Sequence, residues 1–307
     1  MSLPFKSLLD LVKAFPDENA CFTHLELLRW AGEVVSPFDA ASKVYKCAGH
    51  KWKCKNTNRY FTVKTGTIFE DTKIPLVKWF MALYIFSSHK KGISSHQLAR
   101  DIDVTQKTGW FLLHRLRYAF SHPNFQAMVE GIVEIDETYV GGKEGNKHAD
   151  KKTPNNSGRS TKTKAPVVGV LQRGGHVIAQ VVKDVTADTI IPLIQKNVEA
   201  GSVIVTDEYQ VYHKVAQVYT HEYVRHSAKE FVNGRAHTNG LEGFWSHFKR
   251  MIDGIYHNVS LEHLQAYVNE FSLRWNTRKS ATSDRFNLIL GNIAGRLTYK
   301  ALIAHQR

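Results

Sequence analysis

The sequence predicts an α/β protein, with a mixed sheet and its helices over about residues 131–252 and helical segments on either side. Runs typical of strands alternate with one helical run across 131–225. Apolar residues recur at helical spacing before residue 35, over 75–120 and from about 239 onward. Hydrophobic residues make up 43% of the 307 residues, which is enough for a sizeable core and excludes global disorder.

The charge of the chain indicates a polyanionic partner. Lysine and arginine total 41 against 28 aspartate and glutamate residues, for a formal net charge of +13. Nucleic acid is the simplest partner for such a surplus. Three cysteines cannot form a disulfide framework, and no apolar run is long enough to span a membrane. We therefore expect a cytoplasmic protein, associated with the nucleoid if it is bacterial.

The first 70 residues are predicted to hold helices followed by a small ribbon of strands over 36–70. From Lys43 to Lys64 there are seven basic residues and no acidic one, with aromatic residues between them. That mixture suits phosphate contact together with packing or base stacking. Cys47, His50 and Cys54 raise the question of a zinc ion. Because a structural zinc site needs four ligands and a second close pair is missing, a metal-free ribbon is the favoured interpretation.

Residues 92–117 are predicted to form two short helices joined by a tight turn. Ser94 or Ser95 can cap the first helix, and Thr105 can cap the second after the turn at Asp103. This pattern resembles a helix-turn-helix, whose second helix enters the major groove of DNA. The alternative is an ordinary helical hairpin. Four side chains of the second helix are predicted to remain for solvent or phosphate, namely Lys107, His114, Arg115 and Arg117.

The order of elements after residue 130 fits a ribonuclease H-like core. It is strand, strand, strand, helix, strand and then a helix, with residues 219–225 as a candidate for one more strand. Because several α/β folds share such runs, the order alone does not establish the fold. Strands are predicted over 131–140, 166–172, 176–183, 203–205 and 219–225, with helices over 187–199 and from 239.

Three acidic residues of this core are candidates for a catalytic site. Alternation puts Asp136 on one face of its strand, together with Glu134. Asp207 follows a buried strand, at the carboxyl end where α/β folds place their sites. Glu242 lies near the start of a helix with one apolar face, formed by Leu241, Phe244, Trp245 and Phe248.

Each of these acids also has a purely structural explanation. Asp136 could end a strand, Asp207 could begin a turn, and Glu242 could pair with Asn239 in a helix cap. Two carboxylates on strands and one on a following helix can also converge on a pair of Mg²⁺ ions, since Mg²⁺ prefers oxygen ligands. Two such ions activate an attacking water or hydroxyl and stabilise the leaving oxygen of an in-line displacement.

Several long and uncommon motifs run through nearly the whole chain. They are TGTIFEDTKIPLVKW (65–79), KKGISSHQLARDIDVTQKTGWFLLHRLR (90–117), EIDETYVGGKEGNKH (134–148), KAPVVGVLQR (164–173), VTDEY (205–209), HTNGLEGFWSHFKR (237–250) and NEFSLRWNTR (269–278). Together they resemble the DDE transposases of the IS1595 family of insertion sequences, which are related to the eukaryotic Merlin elements.

The resemblance implies a ribonuclease H-like domain that cuts and rejoins DNA with two Mg²⁺ or Mn²⁺ ions. Asp136 and Asp207 match the first and second catalytic aspartates of the family. The third metal ligand would be Glu242 or, as in many relatives, Asn239, with Glu242 preferred here. Lys249 would contact DNA near the cleaved phosphate. Because two element ends must be held together, a homodimer or larger assembly is expected on DNA.

One stretch departs from the family pattern. Relatives usually carry a four-cysteine zinc ribbon near the N-terminus, whereas the corresponding residues here read SPFD (36–39) and CKNT (54–57). Only Cys54 remains of the four cysteines. The resemblance therefore implies the fold of a degenerate zinc ribbon without carrying its zinc ion over to this chain.

These observations predict three domains: residues 1–70 with the N-terminal helix and ribbon, 71–128 with the helix-turn-helix, and 129–307 with the catalytic core and C-terminal helices. Two alternatives stay open, a ribonuclease H-like nuclease or resolvase that cuts without joining, and a non-catalytic DNA-binding protein derived from a transposase. Further DNA contacts are predicted in the basic loop 143–164 and beside Lys249, at Lys143, Lys147, Lys151, Lys152 and Arg250.

Overall fold

The chain divides after His122 and again after Arg278 in the computed structural model. One unit comprises Met1–His122 together with Lys279–Arg307, and the other comprises Pro123–Arg278. The structure describes residues 5–125, 127–142, 163–225 and 236–304, and the single residues 148, 150, 152, 228, 232 and 234. Within that part of the chain, every helix is too short or too polar to cross a membrane.

The regular elements follow in chain order. The helices are α1 (Leu8–Ala14), α2 (Glu18–Trp30), α3 (Leu76–Ser88), α4 (Ser95–Asp101), α5 (Gln106–Ala119), α6 (Ala187–Asn197), α7 (Asn239–Met251), α8 (Leu264–Asn276), α9 (Thr282–Leu290) and α10 (Tyr299–Ile303). The strands are β1 (Val44–Lys46), β2 (Trp52–Cys54), β3 (Tyr60–Phe61), β4 (Ile132–Gly141), β5 (Lys164–Gln172), β6 (Val177–Val181), β7 (Val203–Thr206) and β8 (Thr220–Tyr223).

A five-stranded mixed sheet is the centre of the second unit, so the prediction of an α/β core is confirmed. The strand order is β6-β5-β4-β7-β8. Strands β4, β5 and β6 pair antiparallel, whereas β7 runs parallel to both β4 and β8. The first strand of the core therefore lies in the middle of the sheet, where both of its edges are paired.

Each face of this sheet is covered by helices. Val133 and Ile135 of β4 pack on the α6 side, in a core that includes Ile190 and Ile194. Helices α7 and α8 cover the other face with a core of Leu241, Phe244, Trp245, Phe248, Leu264, Val268 and Phe271. The alternation predicted along β4 is confirmed. Val133 and Ile135 lie in the core on the α6 side, and Glu134 contacts α7 on the opposite face.

The C-terminal helices belong to the first unit, which differs from the predicted 129–307 domain. Phe286 of α9 lies against Phe5, Phe15 and Phe80, with ring centroids 5.0, 6.4 and 5.6 Å away. In the same unit, the Ile68 amide donates a backbone hydrogen bond to the Ile293 carbonyl at 2.9 Å. Burial of this aromatic cluster keeps residues 279–304 with the N-terminal helices, which the sequence pattern alone did not indicate.

The two helices predicted over 92–117 form as α4 and α5. The Ser94 hydroxyl accepts a hydrogen bond from the Gln97 amide at 3.1 Å, and the Thr105 hydroxyl accepts one from the Thr108 amide at 3.2 Å. Between the helices Asp103 takes a left-handed conformation with φ 51°. Side-chain caps and this turn residue thus define the helical pair, as the sequence indicated.

Three of the four polar residues assigned to DNA on α5 are instead buried. His114, Arg115 and Arg117 are 2%, 5% and 1% exposed. The Arg115 guanidinium donates to the Glu70 carbonyl and lies 5.1 Å from the centre of the Phe111 ring. The prediction that they face solvent or phosphate was wrong, because α5 is packed on more than one side. Only Lys107 of this set is exposed.

A three-stranded antiparallel sheet, β1-β2-β3, forms the predicted ribbon. Trp52 and Phe61 from this sheet pack edge-on against Trp30 of α2, with ring centroids 6.0 and 6.1 Å apart. One face of the ribbon is therefore anchored by aromatic contacts, which stabilise a sheet too small to be stable alone.

The candidate zinc residues of the ribbon have other partners. The ring nitrogens of His50 contact Glu26 Oε1 at 3.2 Å and Asn19 Oδ1 at 2.6 Å. Cys54 is fully buried, and its thiol contacts the Ser42 hydroxyl at 3.2 Å. Burial raises the pKa of Cys54, but hydrogen bonds from Ser36, Ser42 and Thr57 outweigh that effect and lower the pKa to about 6.

The convergence of Ser36 and Thr57 on Cys54 generates a first prediction. Positions 36, 39, 54 and 57 have the spacing of two C-x-x-C pairs. We expect the triple variant Ser36→Cys, Asp39→Cys, Thr57→Cys to bind about one Zn²⁺ per chain, because the three new cysteines and Cys54 would together supply four thiolates. Zinc content after dialysis measures this. Adding Cys54→Ser should weaken the binding, and a triple variant with no more zinc than the parent would contradict the prediction.

Candidate active site

The pairing of β4 with β7 brings two of the predicted acids together. These strands are parallel, with Val133 opposite Ile204 and Glu134 opposite Val205. The same register, continued by two residues, aligns Asp136 with Asp207, which follows the last residue of β7. Adjacent strands lie about 4.8 Å apart, so the two carboxylates extend from neighbouring backbone positions.

A glycine beside Asp136 lets α7 approach the sheet. Gly169 of β5 is the partner of Asp136 in the antiparallel ladder. A Cβ atom at Gly169 would lie 2.6 Å from the Trp245 ring and 2.8 Å from Leu241 Cδ2. Because no side chain separates them, the first turns of α7 rest directly on the sheet next to Asp136.

Glu134 connects the start of α7 to β4. This carboxylate is 1% exposed and accepts a hydrogen bond from the Leu241 amide, in the first turn of α7, at 3.0 Å. Arg173 Nε donates to the other carboxylate oxygen at 3.0 Å, and Arg173 Nη2 donates to the His237 carbonyl at 3.0 Å. A buried carboxylate is favourable here because a guanidinium and a helix N-terminus both stabilise its charge.

The roles of Glu134 and Arg173 were not recognised from the sequence. The one sequence feature that pointed to Glu134 was the alternation along β4, which placed it on the same face as Asp136. Its partner Arg173 lies 39 residues away along the chain, in the turn after β5. Pairing over that distance depends on the β4–β5 ladder and is not visible in a local pattern.

Glu242 and Asn239 both lie on the first turns of α7 and are exposed. The residue that caps the helix is Thr238, so the proposed pairing of Asn239 as cap with Glu242 is wrong. The Thr238 hydroxyl instead contacts Glu242 Oε1 at 3.4 Å. The apolar face predicted for α7 is buried, which leaves Glu242 and Lys249 on its exposed side.

Burial and neighbouring negative charges both act on Asp136. Burial and, after it, the negative charges of Glu137, Asp207 and Glu242 together raise the pKa of Asp136 from 3.8 to about 7. Asp207 is held in part by the Tyr209 amide, which donates to Asp207 Oδ1 at 3.0 Å. The site thus concentrates negative charge at the middle of β4, the end of β7 and the start of α7.

Tyr212 holds the adjacent acid, Glu137, from the α6 side. Tyr212 is fully buried, and its hydroxyl donates to Glu137 Oε2 at 2.8 Å. Burial raises the pKa of Tyr212, and the charges of Glu137 and Asp136 add to the shift. Tyr212 therefore stays protonated and fixes the carboxylate of Glu137 beside Asp136.

The carboxylate oxygens of these acids are the type of ligand that Mg²⁺ and Mn²⁺ prefer, although they do not form a complete coordination sphere. Across the described ranges, no three His, Cys, Asp or Glu side chains are grouped so that they could hold a metal ion by themselves. Mg²⁺ is usually bound by one or two carboxylates together with water and substrate phosphates. Oxygen donors from the middle of β4, the end of β7 and the exposed side of α7 match this type of open site.

A cleft lies along the second half of β4, beginning at Glu137, the residue after Asp136. Its volume is ≈ 780 Å³, and its lining includes Glu137, Lys164, Lys249, Asp253 and His257. Lys249, predicted to contact DNA, thus faces this cleft. Arg250 and Lys152 are exposed elsewhere. Three further lysines with predicted DNA contacts lie outside the described residues, namely Lys143, Lys147 and Lys151.

The raised pKa of Asp136 predicts the pH dependence of stability. Because the folded protein binds this proton more tightly than the unfolded chain, the contribution of Asp136 to stability falls as the pH rises from 3.8 to about 7. In a metal-chelating buffer, Asp136→Asn should raise the free energy of unfolding by on the order of 2 kcal/mol at pH 8 and by much less at pH 4. Urea unfolding at both pH values measures the difference, and a variant less stable than the parent at pH 8 would refute the assignment.

Two glycines of α7 provide a matched test of how the helix docks. A Cβ atom at Gly240 would lie 2.6 Å from Leu171 Cδ2 and 2.7 Å from Glu134 Oε2, whereas one at Gly243 meets nothing within 4 Å. Gly240→Ala should therefore lower the free energy of unfolding by about 1–3 kcal/mol. Gly243→Ala should raise it by about 0.5–1 kcal/mol through helix propensity. Equal effects in urea titrations would show that α7 does not rest on Glu134 as described.

Comparisons with known proteins identify the family of this chain. Residues 128–276 match the ISXO2-like transposase domain of the IS1595 group. A Halobacterium salinarum protein described as an uncharacterized protein in transposable element ISH50 is 32% identical over 280 residues, which cover 86% of this chain and 92% of that protein. An uncharacterized transposase-like protein of Haemophilus influenzae is 28% identical over 120 residues, which cover 38% of this chain and 96% of that protein.

Among solved structures, the pre-cleavage Mos1 transpososome is 13% identical, with a TM-score of 0.25, and covers 96% of this chain and 100% of its own. The Mos1 strand transfer complex is 11% identical, with a TM-score of 0.29, and covers 96% and 99%. The sequence relationship over most of the ISH50 protein, together with the domain match, shows the family. The chain belongs to the IS1595 family of transposases.

Proposed function

We propose that this transposase cuts and joins DNA at the site formed by Asp136, Asp207 and Glu242. The observation that carries the proposal is the parallel register of β4 and β7, which aligns Asp136 with Asp207, together with the close approach of the first turn of α7 to β4. The central strand, its parallel neighbour and the following helix support a ribonuclease H-like arrangement of the core.

The acids would hold divalent cations, with Asp136 and Asp207 as two ligands and Glu242 as the third. Two bound Mg²⁺ or Mn²⁺ ions supply activation of the attacking oxygen and stabilisation of the leaving oxygen. Glu242 is preferred to Asn239 because Mg²⁺ is commonly bound by carboxylates, which neutralise its charge, whereas an amide offers only a neutral oxygen. Glu134 and Arg173 keep the helix that carries Glu242 in register with the strand that carries Asp136.

The reaction would consist of two displacements at phosphorus. First, water attacks the phosphodiester at the element end, the bond from phosphorus to the 3′ oxygen breaks, and that oxygen takes up a proton to become a free hydroxyl. The same 3′-hydroxyl then loses its proton and attacks a target phosphodiester, which releases a target 3′-hydroxyl. Lys249, in the cleft beside Glu137, would contact the backbone phosphates during both steps.

DNA is the proposed partner of both units. Exposed Lys107 near the start of α5 remains available for phosphate contact on the helical pair α4–α5, for which we propose a helix-turn-helix role. Terminal inverted repeats would be bound by the first unit and cut by the second. Because two ends must be joined to one target, we propose that the protein acts on DNA as a homodimer or larger assembly.

Replacement of the aspartates tests the chemistry. Asp136→Asn and Asp207→Asn should each abolish Mg²⁺-dependent cleavage of DNA carrying the element ends while leaving binding of those ends largely intact, because Asn lacks the charge that holds the ions. Asp188→Asn, an exposed residue at the start of α6, is the matched control and should retain activity. Gel assays of cleavage and of joining into a plasmid provide the readouts. Cleavage by either site variant would refute the assignment.

The same assay separates the alternatives. Joining of the ends into a plasmid by the parent protein, absent in Asp207→Asn, would establish a transposase. Cleavage without any joined product would identify a ribonuclease H-like nuclease instead. Binding of the ends with neither reaction would favour a non-catalytic DNA-binding protein.

The third ligand can be assigned by comparing two residues of α7. Glu242→Gln should reduce cleavage by roughly 10³-fold, because loss of a ligand removes several kcal/mol of transition-state stabilisation. Asn239→Ala should reduce it far less. Thermal unfolding gives a second readout, since Mg²⁺ should raise the melting temperature of the parent and of Asn239→Ala more than that of Glu242→Gln. The opposite ranking in both assays would assign the ligand to Asn239.

A further inference from the structure

The outward face of the three-stranded ribbon carries a row of alternating aromatic and cationic side chains. Tyr45 of β1 is the ladder partner of Lys53 of β2, and Lys53 is the ladder partner of Tyr60 of β3. Directly paired residues of antiparallel strands lie on the same face of a sheet. The three side chains therefore form one transverse row, which we call the tyrosine row.

The tyrosine row is exposed, whereas the other face of the ribbon is anchored. Tyr45 is 43% exposed and Tyr60 is 62% exposed, although both are large aromatic residues. On the opposite face Phe61 and Cys54 are buried, and Trp52 packs on Trp30. The rings of the row thus contribute little to the core of the first unit, while the sheet beneath them is held in place.

Cations accompany each ring of the row. Lys43 Nζ lies 5.7 Å from the centre of the Tyr45 ring, and Lys53 Nζ lies 5.5 Å from that of Tyr60. From Lys43 to Lys64 the chain has seven basic residues and no acidic residue to compensate them. A surface with one sign of charge and exposed rings is complementary to a polyanion that can also present flat bases.

We propose that the tyrosine row binds unpaired DNA, with bases stacked on Tyr45 and Tyr60 and phosphates contacted by Lys43 and Lys53. The two rings lie two strand spacings apart, about 10 Å. Bases of a duplex follow one another every 3.4 Å along each strand and remain stacked, so a duplex cannot offer separate bases to these rings. A single strand can be splayed so that each base meets one ring.

The choice of DNA as the nucleic acid rests on the proposed function, since the strands that are cut are DNA and a cut strand end can leave the duplex. The stacking geometry itself does not depend on the catalytic acids. Binding by the row and catalysis by the second unit can therefore be tested separately in the full chain.

The experiment measures binding of the full-length protein to a labelled oligothymidylate of about 20 nucleotides, by fluorescence anisotropy. Tyr45→Ala and Tyr60→Ala should each weaken binding by on the order of 5- to 100-fold. Tyr60→Phe is the matched control and should bind like the parent, because it keeps the ring. Lys53→Gln should reduce the slope of log affinity against log salt concentration by about 0.7. A duplex of equal length should show little dependence on either tyrosine.

The possible results discriminate clearly. Parent-like binding by both alanine variants, or equal loss in Tyr60→Ala and Tyr60→Phe, would overturn the stacking role. Tighter binding to oligouridylate than to oligothymidylate would overturn the assignment to DNA. Tyrosine-dependent binding by a protein that fails to cleave element ends would sustain this inference while the proposed function fails, and cleavage with tyrosine-independent binding would do the reverse.

Discussion

The buried carboxylate of Glu134 is the constraint on which the arrangement of the second unit depends. Removing a charge from water is costly unless hydrogen bonds and an opposite charge compensate it. Arg173 and the first turn of α7 provide both, so the free energy of the ion pair favours one position of the helix relative to β4. Because Asp136 lies two residues along the same strand face, that position also determines which residues of α7 approach the acids.

The site combines a rigid surround with internal repulsion. Asp136 is held in the central strand and Glu137 by Tyr212, while their charges and that of Asp207 oppose one another. Like charges repel, and on a flexible surface these acids would move apart. Packing on both faces of the sheet holds the strands that carry them in place. Such a conflict between local electrostatics and global packing is typical of functional sites, where some stability is given up for chemistry.

Sequence reasoning predicted the parts of the fold that depend on local patterns. The alternation along β4, the apolar face of α7 and the capping residues Ser94 and Thr105 follow from periodicity and from backbone hydrogen bonding, and the structure has them. What it did not predict depends on distant partners. Burial of Arg115 requires the Glu70 carbonyl, and docking of α9 requires rings from three N-terminal segments. A charged helix face reveals its sign but not what packs against it.

The same limit applies to the site. Alternation placed Asp136 and Glu134 on one face, and strand-end reasoning placed Asp207 at the end of its strand, so these positions in the sheet could be predicted from the sequence. The tie between Glu134 and Arg173 could not, because it depends on the register of the β4–β5 ladder. The requirement for glycine at position 169 could not be predicted either, because it depends on the Trp245 ring that packs against it in the folded protein.

The division of the first unit into Met1–His122 and Lys279–Arg307 has a consequence for how the protein is made. During synthesis, the second unit is complete in the emerging chain before Phe286 can join Phe5 and Phe80. Domains generally fold as units while the chain grows, so the sheet of the second unit can form first. Until residues 279–307 are synthesised, the apolar surface of the N-terminal helices that contacts Phe286 stays exposed. Loss of residues 279–307 would therefore destabilise the first unit more than the second.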